Sequence, residues 1–162
     1  MTDLNFSWLF AKPTRFLAFG FGSGLLPKAP GTWGSLIAIP LVLVTAAVLN
    51  DWQYALVALV ICIVGIPICG SAARDLGIKD HPGIVWDEIA GMFITFLWVP
   101  LSPLNLALGF VAFRFFDILK PWPISWADHK LDGGRGIMLD DVMAGIYALI
   151  CMQGWLYFSP LA

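Results

Sequence analysis

TWGSLIAIPLVLVTAAVL (Thr32–Leu49) and WQYALVALVICIVGIPICGSAA (Trp52–Ala73) carry no charged residue and are separated only by Asn50-Asp51. About 20 apolar residues are needed to cross the roughly 30 Å hydrocarbon layer as a helix. Both runs are of that order. A helix on the surface of a soluble domain would show a polar face, and neither run does. The pair therefore predicts two membrane helices joined by a tight polar turn, with Gly65 and Pro67 suggesting a kink in the second.

Working outward, Val85–Val99 carries Asp87 and Glu88 near its start, Leu104–Leu119 carries Arg114 and Asp117 near its end, and Leu139–Phe158 opens with Asp140-Asp141. The first two of these are short for a crossing and could instead be partly submerged helices. Phe6–Phe21, interrupted by Lys12, Pro13 and Arg15, suits an amphipathic helix lying in the interface. The expected fold is thus an all-α, polytopic integral membrane bundle of about five hydrophobic helices plus an N-terminal interfacial helix. It forms one domain, 1–162: residues 1–31 hold the interfacial helix and a glycine-rich loop, and 32–158 the bundle. Bulk composition agrees. The 162 residues are 59% hydrophobic and 12% charged, with mean hydropathy +0.83, whereas a soluble domain carries about 25% charged residues. The net charge of −2 gives no footprint for nucleic acid.

Five threaded crossings place Met1–Gly31, Arg74–Gly83 and Lys120–Met138 on one side. The other receives Asn50-Asp51, Pro100–Pro103 and Ser159–Ala162. All nine Lys and Arg residues fall toward the first side, which the positive-inside rule assigns to the cytoplasm, with the N-terminus in and the C-terminus out. The N-terminus shows no cleavable leader pattern. Cys62, Cys69 and Cys151 lie in apolar runs without accompanying His or acid and read as packing residues.

An ionisable side chain at mid-bilayer costs about 2.5–3.5 kcal/mol on insertion scales, yet the threading brings Asp87, Glu88, Asp117, Asp140 and Asp141 to one depth. Arg114 and Lys120, three residues either side of Asp117, share its helical face and neutralise part of this charge. Clustered carboxylate oxygens suit a hard cation such as Mg²⁺. The competing reading treats four of the acids as helix-start charges that favour the macrodipole. It leaves out Asp117, which comes late in its helix. Asp87 and Asp141 each precede a glycine by four residues, Gly91 and Gly145, so small residues would let these two helices approach closely.

The stretch GFGSGLLPKAPGTWGS (Gly20–Ser35) surrounds Lys28 with glycines ahead of the first crossing, with Thr32 as a potential N-cap. DGGRG (Asp132–Gly136) sets Arg135 before the last. Each could be a plain flexible turn or an anion cradle of backbone N–H groups. Two such loops on the acids' side of the membrane favour phosphate. His81 and His129 fall in loops on that side, and His81 could donate a proton. Acids for a divalent cation, bases for phosphate and a bilayer setting together point to a phosphorylated lipid as substrate.

GSGLLPKAPGTWGS (Gly22–Ser35), VWDEIAGM (Val85–Met92), FRFFDILKPWPI (Phe113–Ile124) and GGRGIMLDDVMAG (Gly133–Gly145) closely resemble, in order, the motifs of the phosphatidylglycerophosphatase A family. The resemblance covers about Phe16 to Gly145. It implies a Mg²⁺-dependent enzyme of the bacterial inner membrane that removes the terminal phosphate of phosphatidylglycerophosphate, giving phosphatidylglycerol. Combined with the residue chemistry, it implies metal ligation by Asp87, Asp117 and Asp141, with Glu88 and Asp140 as further ligands or the base that activates water. Lys28, Arg114, Lys120 and Arg135 would bind phosphate. The alternatives are an ion or small-solute transporter, which needs polar groups reaching the far side, and a non-catalytic lipid-binding subunit, which does not need converging acids.

Overall fold

A computed structural model describes residues 4–79 and 81–159, without the side chains of residues 127–129. The order is α1 (Phe6–Phe10), α2 (Pro13–Ala18), a 3-10 segment (Gly20–Leu25), α3 (Pro30–Val48), α4 (Asp51–Leu76), α5 (Trp86–Thr95), α6 (Pro103–Leu119), α7 (Ile124–Lys130) and α8 (Gly133–Phe158). No strand occurs among the described residues, so the fold is all-α. Three helices, α3, α4 and α8, are long and apolar enough to cross a membrane. α5 has 10 residues and α6 has 17. Exposed Val44, Leu56, Ile63, Val111, Phe115 and Ile150 turn a broad apolar surface outward, an arrangement that water disfavours and lipid accepts.

Local chemistry sets the boundaries. At the α3–α4 turn, Asn50 Oδ1 accepts from the Gln53 N–H and Gln53 Oε1 accepts from the Asn50 N–H, at 3.0 and 3.1 Å. This reciprocal cap satisfies two donors that the helix itself cannot. α4 runs as one helix through Pro67 and ends at Gly77, whose φ of 67° suits a left-handed C-terminal stop. The single interfacial helix expected over Phe6–Phe21 is instead two short helices. Pro13 lacks the N–H to continue α1 and sits at the first turn of α2. α2 is tied to α4 by Lys12 and Arg15, whose nitrogens lie 2.8 and 2.7 Å from the Asp75 carboxylate. The expected N-cap, Thr32, lies inside α3: its N–H donates to Ala29 O, and Pro30 opens the helix.

α5 forms the centre of the bundle. Ile89, Met92 and Phe93 are almost wholly buried, and its neighbours are α3, α4, α6 and α8. Tyr54 Oη donates to Phe93 O at 3.1 Å, and Trp86 Nε1 donates to Ile61 O at 3.2 Å. The expected close approach of the two glycines is present. A Cβ on Gly145 would lie 2.6 Å from Gly91 O, and one on Gly91 would lie 2.9 Å from Asp141 O. At the end away from the acids, Gln153 Nε2 donates to Leu97 O, and Trp155 Nε1 donates to Asn105 Oδ1, both at 3.1 Å.

α8 starts at Gly133, six residues before the expected Leu139, and has no acid in its first turn. Asp140 and Asp141 therefore sit about two turns inside the helix. The macrodipole acts mainly within the first turn, so it does not account for either carboxylate.

Candidate active site

Four helix segments bring their polar residues to one cavity of about 310 Å³. α3 contributes Pro30 and Gly31, α5 Asp87 and Glu88, α6 Arg114 and Asp117, and α8 Asp140 and Asp141. Lys120 follows α6, and Pro82, Ile84 and Ile118 supply apolar wall. All five acids identified from the sequence reach this place, together with Arg114 and Lys120.

Within the cavity the acids divide. Asp87, Glu88 and Asp141 each offer a carboxylate oxygen within 4.8 Å of the other two. Asp117 and Asp140 are engaged by cations: Arg114 Nη1 lies 2.5 Å from Asp117 Oδ2, and Lys120 Nζ lies 2.6 Å from Asp140 Oδ2. Asp87, Asp140 and Asp141 are only 8%, 5% and 3% exposed, so the cluster is not a surface ornament. Burying a carboxylate costs several kcal/mol unless charge and hydrogen bonds compensate. Asp141 also lies within the fields of Asp117, Asp87 and Asp140.

The donors suit an oxygen-seeking divalent cation. Glu88 Oε2 is buried without a hydrogen-bond partner, and such an atom ordinarily finds compensation. With the oxygens of Asp87 and Asp141 beside it, the set is all carboxylate, which suits Mg²⁺ rather than a thiol- or imidazole-seeking metal. Gly31 leaves room for this arrangement: a Cβ there would meet Glu88 Oε1 and approach Arg114 Nη1 to 3.1 Å, so both side-chain ends would have to move.

Other sequence candidates are not in the cavity wall. Lys28 is exposed, two residues before Pro30. Arg135 is exposed and lies along a separate apolar groove between α4 and α8. His81 is also absent from the wall; its Nδ1 accepts from the Gly83 N–H at 2.9 Å, fixing the turn into α5. The side chain of His129 lies outside the described residues. The loop before α3 shows a feature that its glycines did not foretell. Lys28 and Ala29 occupy left-handed conformations, with φ of 63° and 49°. Such backbone costs about 1–3 kcal/mol per residue and clusters at functional sites.

The fold and cavity define a class: an all-helical, membrane-type protein with a polyacidic cavity, lined by arginine and lysine, at one end of its bundle. Residues 16–156 match the family model described as Phosphatidylglycerophosphatase A. The chain is 45% identical over 150 residues to phosphatidylglycerophosphatase A of Escherichia coli (strain K12), covering 91% of this chain and 84% of that protein. It is 44% identical over 148 residues to the protein of the same name from Haemophilus influenzae, covering 89% and 91%. The chain belongs to the phosphatidylglycerophosphatase A family. No solved structure matches it.

Proposed function

We propose that this protein hydrolyses the terminal phosphomonoester of phosphatidylglycerophosphate, giving phosphatidylglycerol and inorganic phosphate, in the phospholipid biosynthesis of a bacterial inner membrane. The observation that carries the reading is the convergence of Asp87, Glu88 and Asp141 within 4.8 Å, beside Arg114 and Lys120. Family membership supplies the substrate.

Asp87, Glu88 and Asp141 would hold Mg²⁺, with Asp117 beside them as a further ligand. When bound, the ion acts as a Lewis acid toward the phosphoryl oxygens and the attacking water. Arg114, oriented by Asp117, and Lys120, oriented by Asp140, counter the charge of the phosphate. Lys28 meets the headgroup at the rim. Water attacks phosphorus in line as the bond from phosphorus to the glycerol oxygen breaks. The Glu88 carboxylate oxygen not used for the ion takes the water's proton, and the glycerol oxygen leaves as a hydroxyl after gaining one from solvent.

Two further crossings complete a five-span topology. Glu88 meets the start of α3 at Gly31, while Phe96, Trp98 and Leu101 share a cavity with Leu49 and Asp51 at its far end. The segment from Trp86 to Val99 thus covers about the same depth as α3. α6 returns from Asn105, beside Trp155 of α8, to Asp117 at the acids. In this topology α1 and α2 lie in the interface, and the distribution of basic residues supports a cytoplasmic position for the cavity.

A transporter reading is weaker. The zone beyond the acids is filled by buried Met92, Phe93, Phe113, Ala144, Ala148 and Met152, which offer no polar path. The test is phosphate release by purified protein from phosphatidylglycerophosphate in mixed micelles, after chelation and after Mg²⁺ addition. Release that stops on chelation and returns with Mg²⁺ is expected. Absence of release under both conditions overturns the activity, and undiminished release after chelation overturns the metal.

A further inference from the structure

We infer that the groove between α4 and α8 is an accessory binding site for an anionic phospholipid, separate from the cavity where phosphate is cleaved: the Arg135 guanidinium takes the headgroup phosphate and an acyl chain lies along the apolar trough below it. The groove has a volume of about 330 Å³, and Cys62 and Ile66 of α4 face Arg135, Met138, Leu139 and Val142 of α8 across it. Arg135 supplies its charge.

Position on the helix separates this groove from the acids. Arg135, Met138, Leu139 and Val142 follow the i, i+3, i+4, i+7 spacing of one helix face. With about 100° between successive residues, that face points away from the one carrying Asp140 and Asp141. A lipid in the groove therefore does not have its headgroup among the carboxylates.

Charge selects the occupant. Lys12, Arg15, Lys79, Arg114 and Lys120 are all ion-paired. The Arg135 side chain makes no hydrogen bond or ion pair among the described residues and stands in the first turn of α8, above exposed apolar side chains such as Ile63. A guanidinium held at the end of a lipid-facing trough between membrane helices complements a phosphate at headgroup depth. The seven steps along the helix from Arg135 to Val142 rise about 10 Å, roughly two-thirds of the hydrocarbon depth of one leaflet. A phosphate and the upper part of its chain fit this length.

Native mass spectrometry of the full chain, titrated in detergent with phosphatidylserine or phosphatidylcholine of matched chains, tests the site. Phosphatidylserine carries no phosphomonoester for the cleavage cavity. Wild type is expected to prefer it about tenfold, Arg135→Gln to lose that preference, and Leu139→Trp, which fills the trough, to bind both lipids more weakly. Asp141→Asn should retain the preference, so the result stands apart from the fate of the phosphatase reading. Equal binding by wild type, a preference that survives Arg135→Gln, or one lost in Asp141→Asn overturns the inference. A change in oligomeric mass in Leu139→Trp with lipid binding intact overturns it in favour of an interface with a second copy.

Discussion

Replacing Gly145 by alanine tests whether the α5–α8 crossing sets the geometry of the acid cluster. The new Cβ would lie 2.6 Å from Gly91 O and 3.1 Å from Gly91 Cα, against an ordinary contact beginning at 3.4 Å. The first distance falls short by 3.4 − 2.6, or 0.8 Å. The obstacle is backbone, so a side-chain rotation does not relieve it and the helices must separate. Such overpacking costs about 1–3 kcal/mol. Asp87 and Asp141 each stand one turn before the glycine of their own helix, so the separation passes to the oxygens gathered within 4.8 Å. Mg²⁺ demands near-ideal ligand distances, and about 0.2 Å is the usual tolerance.

The Mg²⁺ midpoint for phosphate release, measured per folded molecule in mixed micelles, should therefore rise at least about tenfold in Gly145→Ala, the scale at which disturbed ligand support weakens metal sites. Gly154→Ala is the matched comparison: it lies in the same helix, and a Cβ there meets nothing within 4 Å. It should leave the midpoint unchanged and gain about 0.5–1 kcal/mol in stability from reduced backbone freedom. If Gly145→Ala keeps its midpoint within twofold of Gly154→Ala, the crossing does not set the ligand geometry.

Asp117→Asn should lower phosphate release at least about a hundredfold while the folded fraction stays near wild type, because the amide oxygen still accepts from Arg114; normal turnover of folded protein would remove Asp117 from the site. Ala29→Gly should raise the free energy of unfolding in detergent by up to about 1 kcal/mol, because glycine adopts the left-handed conformation without strain; a fall would show that the φ of 49° imposes no cost. Cysteines in place of Lys79 and Ser102 should react with an impermeant thiol reagent from opposite membrane faces, and labelling of both from one face would reject the five-crossing topology.

How much of this was legible in the sequence depended on whether the information was local. The α3–α4 pair could be read because uninterrupted apolar length is a property of consecutive residues, and Asn50-Asp51 marked the turn. The convergence of the acids followed from threading alone, since alternate crossings return α5, α6 and α8 to the same level. The start of α8 was misplaced because Gly133, Gly134 and Gly136 read as a loop. In the structure Gly133 does turn the chain, with a φ of 66°, but Gly134 and Gly136 permit close contact instead: a Cβ on Gly134 would collide with Ile66 O of α4, and one on Gly136 with Leu131 O. Glycine required by a neighbouring helix and glycine required by a turn look identical in one sequence.

The same distinction explains the basic residues. Their side of the membrane was inferred from number alone, but individual roles depend on helical phase. Arg114 and Lys120 flank Asp117 at helical spacing and enter the cavity. Arg135 could be phased only once α8 was known to begin at Gly133, which extends the helix through it and turns it toward α4. Moving that start by six residues also placed Asp140 and Asp141 in mid-helix, where neither a cap nor the macrodipole stabilises a buried anion. Their charge must then be offset from other elements. Lys120 does so for Asp140 at 2.6 Å. Asp141 instead faces the carboxylates of Asp87 and Glu88, an arrangement of like charges that folding alone would not favour and that a bound cation would stabilise.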